Sequence, residues 1–159
     1  MHVTHKALDK IKTRLETTLP DFENRIWRNR RYQLHDRELP AIVIQYDGER
    51  VSEAQATRTS RPIQRRDVNF SVVVVDKIFE KTDRGDEGEF LEDYLFEHAA
   101  AVETTMLEHQ NLEGRDIHSL TLNGVDMSEA KHGERPLSFA RLEFTMSLRT
   151  RAGQPESFI

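Results

Sequence analysis

The start of the chain carries apolar side chains at the spacing of one helix face, with mainly basic residues between them. Thr4 can cap the start of such a helix, and Pro20 cannot continue it. The pattern therefore predicts a first amphipathic helix that ends at Pro20. Its inward positions are Ala7, Leu8, Ile11, Leu15 and Leu19.

Three strands are predicted between this helix and the next one. Asn24–Tyr32 alternates imperfectly, and Ala41–Tyr46 is a short apolar strand that ends at the turn signal Asp47-Gly48. Val68–Phe79 is apolar on both faces near its end, which favours a central position in a sheet. Its first face carries Val68, Phe70, Val72 and Val74.

The second half of the chain predicts one more helix and two more strands. The helix spans Glu89–Gln110, and the strand Ile117–Leu122 ends at the turn signal Asn123-Gly124. Leu137–Thr150 alternates strictly, so one face is packed and the other is wet or in contact with another molecule. The inward helix positions are Phe90, Leu91, Tyr94, Leu95, His98, Val102, Thr105 and Met106. The inward strand positions are Ala140, Leu142, Phe144, Met146 and Leu148.

A short hairpin loop could join two adjacent strands. Here the long polar segment Val51–Arg66 lies between them instead. It cannot bury enough apolar area to offset the entropy lost on ordering. We therefore predict a mobile loop that becomes ordered on a partner. Its arginines are Arg58, Arg61, Arg65 and Arg66.

The order of elements is α-β-β-(long loop)-β-α-β-β, in a single domain over residues 1–159. Two amphipathic helices and one sheet with a single buried face predict a two-layer α/β (α+β) sandwich. Its sheet is mixed and mostly antiparallel, and both helices pack on one face. Residues 152–159 are predicted to be a loose C-terminal tail.

Length and composition indicate one soluble globular domain. The chain of 159 residues supports one core, and its residues are 36% hydrophobic and 32% charged. The absence of cysteine excludes disulfides, thiolate catalysis and cysteine metal sites. No signal peptide and no membrane-spanning stretch is recognisable, so we expect synthesis in a cytoplasm and no membrane partner.

The charge is distributed unevenly along the chain. The net charge is −5, but Asp21–Arg66 holds ten arginines and seven acidic residues, whereas Asp76–Asp116 holds four basic and thirteen acidic residues. Such regions can complement each other between copies of one chain, or they can be two ordinary solvated faces.

No catalytic motif is recognisable, and we predict no catalytic residue, no cofactor and no metal. His2 and His5 could hold a metal, but surface histidines at a chain end are the simpler interpretation. His98 is predicted to be a hydrogen-bonded core histidine rather than a general base. The acidic residues of the second helix are interpreted as a solvated face.

Candidate contact residues lie on the outer face of the last strand and on the first strand. Arg141 and Glu143 alternate with the packed positions, in a row suited to contacts between strands or subunits, although a solvated face explains them as well. Trp27 and Tyr32 lie beside arginines, as interface residues often do. The alternative for Trp27 is that it covers an edge of the core.

The chain resembles the tail-terminator (tail-completion, minor tail protein) family of lambda-like, long-tailed bacteriophages. The resemblance rests on patterns in order, over roughly residues 4–155. These are HKALDKIKTRLETTLP, then ELPAIVI at Glu38–Ile44, the long polar loop before NFSVVVVDKIF, the acidic helix, SLTLNG, and RPLSFARLEFTMSLRTRAGQP.

The resemblance implies a structural role in virion assembly, at the head-proximal end of the tail. Family members form a homohexameric ring on the last ring of the tail tube, stop its polymerisation and present a surface to the head–tail connector. DNA passes through the ring lumen. The implied fold is a mixed sheet with helices on one side. The loop arginines would contact a neighbouring subunit, the tube or DNA, with Glu92 and Asp93 as candidate acidic complements.

Two other functions remain open. One is a different phage neck, head-completion or contractile-tail protein on the same fold. The other is a small enzyme that holds an anionic substrate with the loop arginines, which would require an acid–base pair in a pocket nearby.

Overall fold

A computed structural model describes residues 1–29, 34–55, 61–77, 87–108, 116–132 and 135–159. It contains two helices and five strands in the predicted order. The helices are α1 (Val3–Thr18) and α2 (Glu87–Leu107). The strands are β1 (Ile26–Arg28), β2 (Ala41–Gln55), β3 (Ile63–Lys77), β4 (Ser119–His132) and β5 (Arg135–Arg151). Short 3₁₀ helices form at Pro20–Phe22 and Asp36–Glu38.

The strands form one mixed sheet in the order β1-β2-β3-β5-β4. β1 pairs parallel with β2, and every other neighbouring pair is antiparallel. The predicted α+β sandwich and the central position of β3 are therefore confirmed. β3 is central because its side chains are apolar on both sides of the sheet near its end.

The main core lies between the two helices and one face of the sheet. Phe70 of β3 stacks on Phe144 of β5, with ring centroids 5.5 Å apart. The predicted inward positions of both strands are buried, as period-two alternation requires. The helices contribute Val3, Ala7, Leu8, Ile11, Leu15, Leu95, Ala99, Val102 and Met106 to this core.

The cap of α1 differs from the prediction. The helix begins one residue before Thr4, and the imidazole Nδ1 of His2 accepts a hydrogen bond from the Thr4 backbone N–H at 3.3 Å. The Thr4 hydroxyl instead donates to Oε2 of Glu49 at 2.6 Å. The predicted end before Pro20 agrees with the structure, where α1 ends at Thr18.

Both predicted turns within strands are wrong. At Asp47-Gly48 and at Asn123-Gly124 the strands continue through a register shift, so each site is a β-bulge rather than a chain reversal. Gly48 has a φ of 124°, a conformation that glycine adopts without a steric penalty. Pairing with a long neighbouring strand satisfies the backbone hydrogen bonds on both sides of each bulge and outweighs the local turn signal.

The predicted loop over Val51–Arg66 is also shorter than expected. Residues 51–55 extend β2, and residues 63–66 extend β3, with Val51 paired to Arg66. β3 pairs in turn with β5 as far as Arg151, so three strands support one another beyond the main core. Polar side chains do not prevent this pairing, because the ladder uses backbone groups. Residues 56–60, which include Arg58, lie outside the described residues.

The C-terminal residues are not a loose tail. The carbonyl of Pro155 accepts a hydrogen bond from the Val3 backbone N–H at 2.8 Å, and the Ile159 backbone N–H donates to the Arg149 carbonyl at 3.2 Å. Phe158 packs against the main core. The tail therefore folds back along α1 and the end of β5.

Helix α2 buries fewer residues than its predicted stripe. Leu95, Val102, Thr105 and Met106 are buried, but Tyr94 is 49% exposed. The predicted positions Phe90 and Leu91 lie outside the described side chains. In the part of the chain that the structure describes, no helix combines the length and apolarity needed to span a bilayer.

A second apolar cluster lies on the face of the sheet opposite the helices, which contradicts the prediction of a single buried face. Its buried members are Leu39, Ala41, Val73, Val75 and Leu137, and Trp27, Leu34 and Phe139 pack against them. The segment before β2 covers this end of the sheet. The same face is polar further along β3 and β5, where Asn69, Thr145 and Ser71 are found.

Candidate functional site

Arg66, a predicted contact residue, lies inside the molecule. Its guanidinium donates hydrogen bonds to Oε1 of Glu49 at 2.6 Å and to the hydroxyl of Thr150 at 3.1 Å. The side chains of Arg66 and Glu49 are only 11% and 16% exposed. Arg66 is therefore a structural residue, and its guanidinium is turned inward rather than towards another molecule as predicted.

The reason for this burial is the bulge in β2. Beyond Gly48 the bulge shifts the pairing register by one residue, so Glu49 pairs with Val68 and shares the helix-facing side of the sheet. There it meets the N-terminus of α1, where the Thr4 hydroxyl also donates to it. The carboxylate thus joins α1 to β2 and β3 through charge-assisted hydrogen bonds.

Arg65 points to the opposite face and is exposed. Its Nε donates a hydrogen bond to Oδ1 of Asp67 at 2.8 Å, and more than half of its side chain remains accessible. Arg61 is also exposed, and its guanidinium lies near Gly153. Of the four predicted loop arginines, these two are accessible, one is internal and Arg58 lies outside the described residues.

Arg141 and Glu143 lie on the outer face of β5 as predicted, within a polar network of the same chain. The Arg141 guanidinium donates to Oδ1 of Asp47 at 3.1 Å and approaches Oε1 of Glu143 at 3.3 Å. The Ser71 hydroxyl donates to the other oxygen of Asp47. Arg141 is thus already engaged, whereas Glu143 is exposed and can make further contacts.

Trp27 packs against the second apolar cluster, on the side of the sheet away from the helices. This position supports the alternative interpretation, in which Trp27 covers an edge of the core. Its predicted neighbour Tyr32 lies outside the described residues. Glu92 and Asp93 belong to α2, but their side chains are also outside the described part, so their role as acidic complements stays a prediction.

The structure brings together arginines that sequence reasoning had not associated. Arg149 of β5 is the direct cross-strand partner of Arg65, and Arg151 pairs with Ile63 two positions further. Arg50 of β2 pairs with Asp67 on the same face. We call Arg50, Arg65, Arg149 and Arg151 the arginine face. The alternation of β5 in the sequence could have indicated this face, because it places Arg149 on the outer side of the sheet.

Asp9, His5 and Arg28 form a charged cluster between α1 and β1. Burial would raise the pKa of the Asp9 carboxyl, but the hydrogen bond and charge of Arg28 outweigh it and hold that pKa below its usual value. Arg28 donates to Oδ1 of Asp9 at 2.5 Å, and His5 Nδ1 lies 3.1 Å from the other carboxylate oxygen.

His98 is not the hydrogen-bonded core histidine that was predicted. Its imidazole lies between the rings of Phe22 and Tyr94, each at a centroid distance of 4.9 Å, and Nε2 has no hydrogen-bond partner within the described part of the chain. Burial lowers the pKa of this imidazole, against opposing charges from Asp76, Asp21 and Glu97. The His98 ring therefore contributes packing between two aromatic rings rather than the predicted hydrogen bond.

Within the described ranges, no group of three His, Asp or Glu residues is placed to hold a metal ion. The predicted contact residues Arg61, Arg65 and Glu143 are exposed on the surface of the molecule. Comparison of the chain with models of protein families and with curated proteins finds no match.

Proposed function

We propose that this protein is a structural component of a phage tail, a terminator that forms a ring on the tail tube. The observation that carries this proposal is the order of elements, which follows the pattern of the family that the sequence resembles. The mixed sheet with two helices on one face agrees with the fold that this resemblance implies.

The form of the sheet supports self-association. β4 is an edge strand of 14 residues, and β1 covers only three residues of β2 at the other edge. An uncovered edge offers backbone donors and acceptors to another chain. Because the two edges differ, their pairing between copies would be head-to-tail, and such an interface gives a ring when its rotation closes.

In this role the ring occupies the site that the next tube subunit would take. Growth stops by occlusion, which needs a matching surface and no covalent chemistry. Proposed partners are other copies of the chain, the tube protein and the head–tail connector, with DNA in the lumen.

Sizing of the purified protein, alone and with tail tubes, tests this function. We expect a closed ring of about six copies and density that caps one tube end in electron micrographs. A protein that stays monomeric at high concentration and in the presence of tubes would refute the proposal. Turnover of an anionic metabolite by that monomer would favour the alternative function, a small enzyme that binds an anionic substrate.

The loop residues are tested with the triple variant R58A/R61A/R65A, and K12A/R14A/R37A serves as a control with the same loss of charge. We expect the first variant to weaken ring formation or tube capping and the control to retain both. Arg66 is left unchanged, because its loss would disturb the fold. Equal behaviour of the two variants would exclude the loop arginines from assembly.

A further inference from the structure

The arginine face occupies the outer side of the sheet at the end where β2, β3 and β5 extend beyond the main core. Direct cross-strand partners point to the same side of a sheet, so the pairings place Arg50, Arg65, Arg149 and Arg151 together. Adjacent strands lie roughly 5 Å apart, and alternate residues of one strand roughly 7 Å apart. The four arginine side chains therefore start from neighbouring positions on the same side of the sheet.

The positive charge of this face is poorly compensated. Arg65 and Arg149 lie directly opposite each other, and like charges in this arrangement destabilise a sheet. Asp67 pairs with Arg65. Among the described residues, no carboxylate lies within salt-bridge distance of Arg50, Arg149 or Arg151.

The residues around the arginine face indicate the kind of anion. Ser52 and Arg149 flank Arg65 across the sheet, and the exposed Ser119 lies in the neighbouring row, beyond the buried Ser147. Small hydroxyl side chains with arginines are typical of contacts to phosphate oxygens. A protein interface would instead centre on large apolar or aromatic anchors, and Ile63 is the single large apolar residue in these described rows.

We infer that the arginine face binds the phosphate backbone of duplex DNA without reading its base sequence. A sheet face with four guanidinium groups can neutralise phosphates along one duplex. The described rows of this face contain no aromatic side chain on which unpaired bases could stack, which favours a duplex over a single strand. The overall charge of −5 restricts binding to this part of the surface.

The arginine face is complete within one chain, so this inference does not depend on ring formation. Each proposal can therefore be refuted without the other, because DNA binding is measured on dilute protein and ring formation is measured without DNA.

The experiment is fluorescence anisotropy of a labelled duplex of mixed sequence, at 50 and 200 mM salt. About four phosphate contacts predict an affinity loss of roughly 100-fold between these concentrations. We expect R65A/R149A to bind at least tenfold more weakly at the lower salt and to show a salt slope smaller by about two. The control K12A/R37A removes the same charge elsewhere and should stay within about twofold of the wild type.

A second double variant, R65K/R149K, shows whether a loss of binding comes from the lost charge or from a folding defect. It keeps both charges, so it should retain most of the binding while R65A/R149A loses it, with unchanged circular dichroism in both. Lack of wild-type binding at 50 mM salt would overturn the inference, as would equal losses in R65A/R149A and K12A/R37A. A preference of tenfold or more for one duplex sequence would refute backbone recognition. Loss of self-association in R65A/R149A without any DNA binding would assign the face to a protein partner.

Discussion

The guanidinium of Arg66 and the carboxylate of Glu49 form a charge-assisted hydrogen bond of 2.6 Å at the junction of α1 with the extended strands. The Thr4 hydroxyl also donates to Glu49, the Thr150 hydroxyl accepts from Arg66, and Nε2 of His2 lies 3.9 Å from Oε1 of Glu49. Because both charged groups are largely removed from water, each needs the other. This pair explains why one arginine of a strongly basic segment serves the fold rather than the surface.

Removal of Arg66 should therefore destabilise the protein strongly. R66A removes the guanidinium from the largely buried Glu49 carboxylate and leaves it with the Thr4 hydroxyl and the nearby His2 imidazole, and we expect a loss of about 3 kcal/mol in the free energy of unfolding. The neutral double variant R66M/E49Q should lose less than R66A, because no charge is left without a partner. Urea unfolding followed by circular dichroism measures both. A loss below about 1 kcal/mol in R66A would mean that water or another residue replaces the partner.

The exposed Arg65 is the matched control for that variant. It neighbours Arg66 in β3, but its side chain is accessible, so R65A should change stability by about 0.5 kcal/mol or less. If R65A and R66A were equally destabilising, the effect would come from strand propensity rather than from the buried pair.

Stability should depend on the protonation of His98. Burial lowers the pKa of its imidazole below the usual 6.5, so the unfolded chain binds the proton more readily than the folded chain. The neutral form then contributes stability that is present above pH 6.5 and is lost as the pH falls from there towards the folded-state pKa. H98F keeps the ring between Phe22 and Tyr94 and removes this pH dependence. Urea unfolding between pH 5 and pH 8 compares the variants, and identical slopes would exclude the assignment.

The stacked phenylalanines should dominate the core energetics. Phe144 is fully buried against Phe70, and F144A should cost about 3–5 kcal/mol. Phe96 of α2 is 50% exposed, so F96A makes the same chemical change at the surface and should cost about 0.5 kcal/mol or less. Thermal unfolding compares the two variants, and a large loss in F96A would mean that Phe96 contributes more to packing than its exposure indicates.

The two bulge glycines provide a matched test of backbone strain. Gly48 has a φ of 124°, whereas Gly124 is outside the left-handed region, and neither has an atom within 4 Å of an added Cβ. G48A should therefore destabilise by about 1 kcal/mol or more, through strain alone. G124A should be neutral or slightly stabilising. Equal effects in chemical denaturation would mean that the bulge at Gly48 relaxes when a side chain is added.

Local patterns in the sequence determined the elements and the faces that they bury. The strict alternation of Leu137–Thr150 predicts which residues of β5 lie inside, and helical spacing predicts the buried side of α1. These predictions hold because one buried face imposes its period directly on the sequence. The prediction that β3 is central holds for the same reason, since burial on two sides requires apolar residues on both.

Only the tertiary structure decided where strands end and which polar residues meet. Asp47-Gly48 and Asn123-Gly124 have the composition of turns, yet long-range pairing with β3 and β5 converts both into bulges. The bulge in β2 places Glu49 beside Arg66, and the register of β5 places Arg149 beside Arg65. Such contacts join residues far apart in the chain, and a one-residue shift of register reverses every side chain. Local composition does not contain that information, because the backbone groups that pair strands are the same in every residue except proline.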